Sequence, residues 1–441
     1  MSKERHLVAV WMVALLTGLA YAILTPPDRV PDEFGHFYRA LAIAEGDFFP
    51  PVGYHAPGHH FPKGIHMFAY RIRKDDLSAR YTLSDLKAAL AEPLNREKRA
   101  GIEFGAWYSP APYVVHIAVS FAGLHLGWRP FWIFYVGRIA NLIACISIVI
   151  AAMLLVPRRS AVIAVVLLLP MTLYQLASWS ADAMTICAAI LMTSLIVRNL
   201  EEEGVVANRE LATLAGVALF AGLCKPAYFL LVLPVAAVPT HRFGSVARRV
   251  VASIVIVGAM TLGTLLSVAN TRAEQYNPRW DLPVDPAQQL RCIANDPLHF
   301  AKLVLNDLYR NGISYLGQTA GRLGMADVKL PKALLLAEWL LLFAVAITSG
   351  VRWTMSSRLT SVIVCVTTIL GISLSQYLVW SVLCSDEIGV QGRYYLPIVP
   401  LALFTFSARR AERRISPLVI ALIGVVANVI ALFIIVDRYW S

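Results

Sequence analysis

The sequence predicts an all-α polytopic membrane protein with about 11 transmembrane helices, and three observations carry that class. The composition is 58% hydrophobic and only 15% charged over 441 residues, with a mean hydropathy of +0.62. Apolar runs recur from end to end rather than at the half-buried periods of a surface helix or strand, a pattern no water-soluble globule could bury. Lys and Arg fall in the connections between those runs, mostly in alternate ones, as the residues that set membrane orientation do.

The first run, 7–24, has 18 residues and no charge, enough to cross a hydrocarbon core of ~30 Å at ~1.5 Å per residue. Tyr21 to Pro27 reads YAILTPP, without the small-x-small pattern of a cleavage site, so it is read as an uncleaved first span. The runs after it are 131–156, 161–177, 181–197, 211–224, 226–238, 250–268, 333–349, 359–383, 394–407 and 415–436. One more, 113–126, is ambiguous, and charge decides it. If it stays out of the bilayer, fifteen Lys and Arg of the short loops share one side: Lys3, Arg5, Arg158, Arg159, Arg198, Arg209, Arg242, Arg248, Arg249, Arg352, Arg358, Arg409, Arg410, Arg413 and Arg414. Three then face the other side: Lys225, Arg393 and Arg438. If it crosses, thirteen of the fifteen change sides, against the positive-inside rule. The expectation is therefore 11 spans, N-terminus cytoplasmic and C-terminus outside, with 113–126 as a juxtamembrane or re-entrant helix; twelve spans is the alternative.

Two long segments then lie outside. In 25–130, Thr82-Leu83-Ser84-Asp85 followed by residues 86–91 reads as a capped helix stopped by Pro93. The second, 270–331, is rich in Asn, Asp, Pro and Gly. Both are too long and polar to be turns, and they are expected to line a site. The organisation is thus 1–269, 270–331 and a C-terminal four-span module, 332–441.

Ionisable residues at membrane depth are functional hypotheses, because burying them unpaired is costly. In this topology several gather on the outer face: Asp32 and Glu33 past the first span, Arg138 with Asn141 one helical turn on, Asp182 opening its span, and Lys225 at the apex of a hairpin. Each arm of that hairpin has about 14 residues, roughly 21 Å of helix, so Lys225 should be recessed. The plainer reading is a Lys that snorkels to the interface. Cys384 to Pro397 holds Asp386, Glu387, Gln391, Arg393 and Tyr394 among glycines. Arg393 there can meet a phosphate bidentately, or simply pair with Asp386 or Glu387 to hold a turn.

The +11 net charge follows topology rather than forming a nucleic-acid face, so no nucleic-acid partner is expected. His55, His59, His60 and His66 cluster, but Pro57 and Gly58 break the helix that a two-His metal face would need. Six Cys without a CxxC signal neither a zinc knuckle nor a redox pair. Cys292 and Cys384 are both outside and can pair in an oxidising compartment, with Cys224 a competing outward thiol.

Pro31-Asp32-Glu33-Phe34-Gly35-His36-Phe37-Tyr38-Arg39 and Gly389-Val390-Gln391-Gly392-Arg393-Tyr394-Tyr395-Leu396-Pro397 resemble the two hallmark stretches of a bacterial membrane-protein family catalogued as domain of unknown function 2142. Tyr108-Ser109-Pro110, Arg138 with Asn141, Ser178 to Asp182 and Lys225-Pro226 are weaker matches between them. That family resembles the GT-C glycosyltransferases, which take a sugar from a polyprenyl-phosphate carrier on the outer face and carry an acidic residue in the first external loop. The resemblance implies a GT-C-like seven-span module over 1–269, with Asp32 as the catalytic acidic residue; an acceptor hydroxyl needs a general base, which Asp32 can supply, and Glu33 is expected beside it as a catalytic residue that orients a sugar hydroxyl or a metal. The resemblance implies Lys225 and Arg393 as candidates for the carrier phosphate; the charge that develops on the leaving phosphate adds Arg138 to them, and His36, Arg39, Tyr108, Asp182, Gln391 and Tyr394 are expected as further substrate contacts. No protein metal-ligand set is expected, although a divalent cation could sit at Asp32 and Glu33 facing a phosphate. The implied partners are a polyprenyl-phosphate-linked sugar, a glycan or lipid-linked acceptor and the bilayer of a bacterial inner membrane, with the site periplasmic. A transporter or flippase for a lipid-linked glycan, or an assembly subunit, is the competing class; the one-sided clustering of charge favours the enzyme.

Overall fold

The computed structural model describes residues 2–49, 59–74, 76, 78–102, 108–271, 284–350, 353–408 and 415–441. His55, Arg352 and the basic run at 409, 410, 413 and 414 lie outside them. The described residues are mostly helical, and among them six helices are long and apolar enough to cross a membrane: His6–Leu24, Pro130–Leu155, Ala181–Glu201, Val246–Asn270, Met355–Val379 and Pro417–Tyr439. They belong to α1 (Ser2–Leu24), α6 (Pro130–Leu155), α9 (Ala181–Glu201), α11 (Val246–Thr271), α15 (Met355–Val379) and α17 (Pro417–Tyr439).

The remaining apolar runs form shorter pieces, and prolines explain most of the interruptions. Residues 161–177 make α7 (Ser160–Leu167) and α8 (Pro170–Leu176), because Leu169 precedes Pro170 and is driven to an extended ψ of 133°. Asn428 of α17 donates to the carbonyl of Leu168 at 2.9 Å, serving an acceptor at the break. After α10 (Asn208–Cys224), residues Pro226–Ala237 wind as a 12-residue 3-10 helix containing Pro234, about 24 Å long at ~2.0 Å per residue. Beyond α14 (Lys332–Thr348), residues 394–407 begin as a 3-10 turn and continue as α16 (Val399–Thr405). The ambiguous run 113–126 is α5 (Val114–Leu126), of 13 residues, ended by Gly127 at φ 72°. It packs on α6 and on α2 (Glu33–Ala44).

The first long segment is folded. After α2 come β1 (His59–Pro62) and α3 (Lys63–Ile72), then α4 (Leu83–Ala91) and β2 (Arg99–Ile102). The two strands pair antiparallel, His59 against Ile102 and Pro62 against Arg99. The Thr82–Asp85 capping box forms as its spacing predicts, with Thr82 as the N-cap and Asp85 in the first turn of α4. In the second segment, α12 (Pro286–Asn295) and α13 (Pro297–Gly321) precede a hairpin of two short strands, β3 (Arg322–Leu323) and β4 (Val328–Lys329). Cys292 and Cys384 are disulfide-bonded, tying α12 to the loop after α15; Cys224 is buried and free, so it does not compete.

The two ends of the bundle are closed by different parts of the chain. Arg158, Arg159 and His6 border one cavity with Ser349 and Ser416, and Arg242 donates to the carbonyl of Asn199 at 3.1 Å near the same connections. At the other end Trp440 donates its indole N–H to the carbonyl of Leu24 at 2.7 Å, and Tyr81 N–H donates to Tyr439 at 2.6 Å. The C-terminal ends of α1 and α17 thus finish together, beside the first long segment.

A buried ion pair closes that end. Arg138 donates to Glu33 through Nε (2.8 Å) and Nη2 (2.6 Å), and both side chains are 0% exposed. Arg138 also donates to the carbonyls of Ala22 (2.9 Å) and Thr25 (2.6 Å) at the end of α1. Glu33 accepts from the backbone N–H groups of Asp28 (3.1 Å) and Trp179 (3.2 Å). This corrects two expectations: Arg138 is not available to a donor phosphate, and Glu33 is not available to a sugar hydroxyl. Asn141 donates to the carbonyl of Leu176 at 3.1 Å and so holds the Ser178 loop rather than a ligand.

Two predictions follow from these contacts. Glu33→Gln strands the Arg138 charge and should lower stability by about 3–5 kcal/mol, whereas Glu33→Leu with Arg138→Met should recover most of that loss; thermal unfolding in detergent measures both, and an unchanged Glu33→Gln would show that the pair anchors nothing. His59 engages Glu45 through Nε2 (2.6 Å) and Asp47 through Nδ1 (3.2 Å), so both ring nitrogens must donate. Burial works against that cation, but the hydrogen bonds to the two carboxylates outweigh it and raise its pKa. The stabilisation is therefore full below about pH 6.5 and disappears as pH rises through the raised value. Amide hydrogen exchange of β1, corrected for intrinsic rate, should speed up with pH over that window and lose this dependence in His59→Gln.

Candidate functional site

Four charged side chains from four parts of the chain meet at the end that carries the first long segment. Asp32 caps α2 from a left-handed conformation, φ 62°, which Asp tolerates better than most residues. Its side chain is 57% exposed and accepts from Arg393 Nη2 at 3.1 Å. Arg393, only 6% exposed on its side chain, also places Nε 3.1 Å from Asp182 Oδ2; that approach lies off the hydrogen-bond line, leaving the N–H unfilled. Lys225 donates to the other Asp182 oxygen. Asp182 is thus a shared counter-ion between two recessed cations, and Asp32 is the one exposed carboxylate.

Local sequence explains how each member is held. Ser180 caps α9 by accepting from Asp182 N–H at 3.1 Å, which fixes the carboxylate at the first turn. Lys225 follows the last residue of α10, and Pro226, which cannot continue the helix, turns the chain behind it. It is recessed, as the short hairpin arms predict, and lies 5.0 Å from the ring centroids of both Tyr108 and Tyr394. Arg393 depends on Gly392, where a Cβ would lie 2.2 Å from the Tyr315 carbonyl; Gly392 N–H donates to Gln318 at 2.9 Å and its carbonyl accepts from Thr319 at 2.8 Å. Arg393 pairs with neither Asp386 nor Glu387; Asp386 meets His299 instead.

The other expected contacts divide into wall and support. Tyr108 and Tyr394 flank the cations, and Tyr394 lies 5.2 Å under the Arg393 guanidinium. Arg39 does not face the cluster: it donates to the carbonyls of Tyr108 (3.1 Å), Asp47 (3.2 Å) and Phe48 (2.7 Å), and so positions Tyr108. Ser109 donates to the Leu223 carbonyl at 2.6 Å, joining that segment to the Lys225 hairpin. His36 hydrogen-bonds Tyr113 through Nδ1 at 2.6 Å. Burial lowers its pKa to about 4, so at neutral pH it is an uncharged ring rather than an anion-binding cation. Gln391 and Arg393 border a cavity of about 30 Å³ with Pro31, Tyr174, Gln175 and Gln318, room for about one water. Tyr228 was not expected at the site; its hydroxyl donates to the Tyr394 carbonyl at 2.9 Å, and its place three residues after Lys225 was the available signal. Asp32 and Glu33 are held by different arginines, so a divalent cation bridging them would have to displace both.

In chemical terms the cluster offers two cationic groups whose charges are balanced in the resting state by Asp182 and Asp32. The Arg393–Asp32 contact is the weaker restraint, because an exposed ion pair is worth little. An anion entering beside Arg393 would fill its unused donor capacity and release Asp32.

The family described as predicted membrane protein (DUF2142) matches residues 15–402. No curated protein and no solved structure matches the chain. Nearly the whole chain, including Asp32, Asp182, Lys225 and Arg393, lies inside that match, and the protein belongs to the DUF2142 family of predicted membrane proteins.

Proposed function

We propose that this protein is a membrane glycosyltransferase of GT-C type, which transfers a sugar from a polyprenyl-phosphate-linked donor to an envelope glycan or lipid-linked acceptor at the periplasmic face of a bacterial inner membrane. The observation that carries the reading is the recessed Lys225–Asp182–Arg393 cluster with an exposed Asp32 clipped to its rim. The topology is 11 spans with a cytoplasmic N-terminus. Supporting an odd number, α1 and α17 end at the same end of the bundle, and α5, at ~20 Å, is short for a bilayer core. The first seven spans and the helices of 25–130 then correspond to the GT-C-like module over 1–269.

The carrier phosphate binds Arg393 and Lys225, displacing Asp32 from Arg393. Asp32 accepts the proton of the acceptor hydroxyl as that oxygen bonds to the anomeric carbon. The bond from that carbon to the phosphate oxygen breaks, and its electron pair leaves with the phosphate, whose charge the two cations hold. Direct displacement inverts the anomeric configuration. Tyr108 and Tyr394 supply apolar walls against which a sugar ring or the first isoprene unit can lie, and Asp182 keeps the two cations together between turnovers.

The transporter alternative has one observation in its favour. Glu338 is buried partway along α14 among apolar residues of α7 and α17, so ionisable groups at membrane depth are not confined to the outer face as the sequence pattern implies. Transfer of radiolabel from a panel of polyprenyl-phosphate sugars in proteoliposomes separates the two. Wild type should consume the donor with inversion, and Asp32→Asn, still folded, should be slower by roughly 10²- to 10⁴-fold. Donor moved across the bilayer but not consumed would replace the enzyme reading with transport.

A further inference from the structure

α13 has 25 residues, as many as α15, yet it is not among the six helices apolar enough to cross a membrane. Its contacts lay it along one end of the bundle instead. Near its start the Phe300 ring lies 5.1 Å from the ring of Tyr377, in the last turn of α15. Roughly 28 Å farther along the helix, Thr319 donates to the Gly392 carbonyl at 2.8 Å. Tyr377 and Gly392 flank the connection from α15 to α16 and so stand at the same end, that of the Lys225–Arg393 cluster. A helix touching both runs across the ends of the spans rather than between them.

At the helical period the side chains of α13 sort into three stripes. Val304, Tyr315 and Thr319 are buried against the protein. Asp307, Asn311 and Ser314 form a polar flank, and Asn311 donates to Asp307 at 2.8 Å. Leu298, Leu305, Tyr309, Ile313 and Leu316 form an apolar flank that touches little protein: Tyr309 is 90% exposed and Ile313 88%. Two observations say what covers that flank. Trp339 of α14 donates its indole N–H to the carbonyl of Leu316, the last residue of the stripe, at 3.1 Å. α14 is one of the runs read as spans and itself exposes Leu336, Leu340, Phe343 and Ile347 at helical spacing, so the apolar surface of α13 continues from a lipid-facing one. Lys302 and Arg310 are exposed beside the stripe, and neither has a hydrogen-bond or ion-pair partner among the described residues. The one carboxylate of α13, Asp307, is taken by Asn311 and Tyr315. An apolar stripe flanked by free cations suits a lipid surface with anionic headgroups, toward which long basic side chains extend.

We propose that α13 is an interfacial helix, with the stripe from Leu298 to Leu316 resting among acyl chains at the boundary of the bilayer and Lys302 and Arg310 on the headgroups of anionic lipids. The same helix holds the turn that carries Arg393, through Thr319 and through Gln318, which accepts from Gly392 N–H at 2.9 Å. The bilayer surface thereby supports the wall of the charged cluster. The lipid contact rests on the faces of α13 alone and survives if the transferase reading fails.

The test uses the full-length protein in proteoliposomes of phosphatidylglycerol and phosphatidylcholine, with Cys365→Ser to remove the half-buried thiol. A spin label is attached at Tyr309→Cys or at Asn311→Cys, both exposed positions where the change should leave the fold intact. The label at 309 should collide with oxygen, which concentrates in lipid, and be shielded from a water-soluble nickel chelate; the label at 311 should show the reverse. Access of the chelate to both labels would mean that the stripe faces water, and access of neither probe to 309 would mean that another part of the chain or a second copy covers it. Either result would overturn the proposal. A fluorophore at Ile313→Cys then reports the neighbouring lipid through quenching by brominated phosphatidylglycerol or brominated phosphatidylcholine. Phosphatidylglycerol should be enriched by up to roughly fivefold for each cation, and Lys302→Gln with Arg310→Gln should bring the two lipids to parity. Equal quenching with both cations present would remove the anionic headgroups from the account.

Discussion

The contact between Arg138 and Glu33 decides where everything else at the site can be. Both charges are wholly removed from solvent, a placement whose desolvation cost is recovered only when geometry is good and the remaining donors and acceptors are filled. Here they are filled: the guanidinium reaches the last carbonyls of α1, and the carboxylate receives the N–H groups of Asp28 and Trp179. One pair therefore ties α1, α2, α6 and the loop before α9. It also fixes Asp32, the residue immediately before Glu33, so that its side chain is turned out of the wall toward Arg393.

With that frame set, the cluster is a balance of two positive and two negative groups rather than a bare cationic patch. Asp182 and Lys225 are almost fully buried, and Asp182 cannot leave both cations without a replacement anion. Asp32 can leave, since water solvates it where it stands. The asymmetry gives the site a direction: an anion entering it would exchange with the exposed carboxylate before it could displace Asp182. The aromatic rings around Lys225 add attraction for the cation without supplying a competing formal charge.

Much of this was legible in the sequence because it depends on local chemistry. The capping box at Thr82 and Asp85, the recessed Lys225 at the end of α10, and the six longest apolar helices follow from spacing and composition alone. The partners of the charges were not legible. A buried Arg in an apolar run announces that it needs an acceptor, but nothing local to Arg138 says that the acceptor is Glu33, 105 residues earlier. The same limit explains Arg393, whose nearby Asp386 and Glu387 were the obvious partners, while Asp32 and Asp182 reach it from far along the chain. Cysteine count could not choose among Cys224, Cys292 and Cys384; in the structure Cys292 and Cys384 pair while Cys224 is buried and free. Glu338 stands inside the apolar run 333–349, and its isolation there is itself a signal in the sequence.

The central claim is that a carrier phosphate takes the place of Asp32 on Arg393. Cryo-electron microscopy of the protein in lipid nanodiscs with a polyprenyl phosphate tests it most directly. The account predicts phosphate density in contact with Arg393 and Lys225, the Asp32 carboxylate released from Arg393, and the Arg138–Glu33 pair unchanged. Phosphate bound elsewhere while Asp32 remains on Arg393 would contradict it.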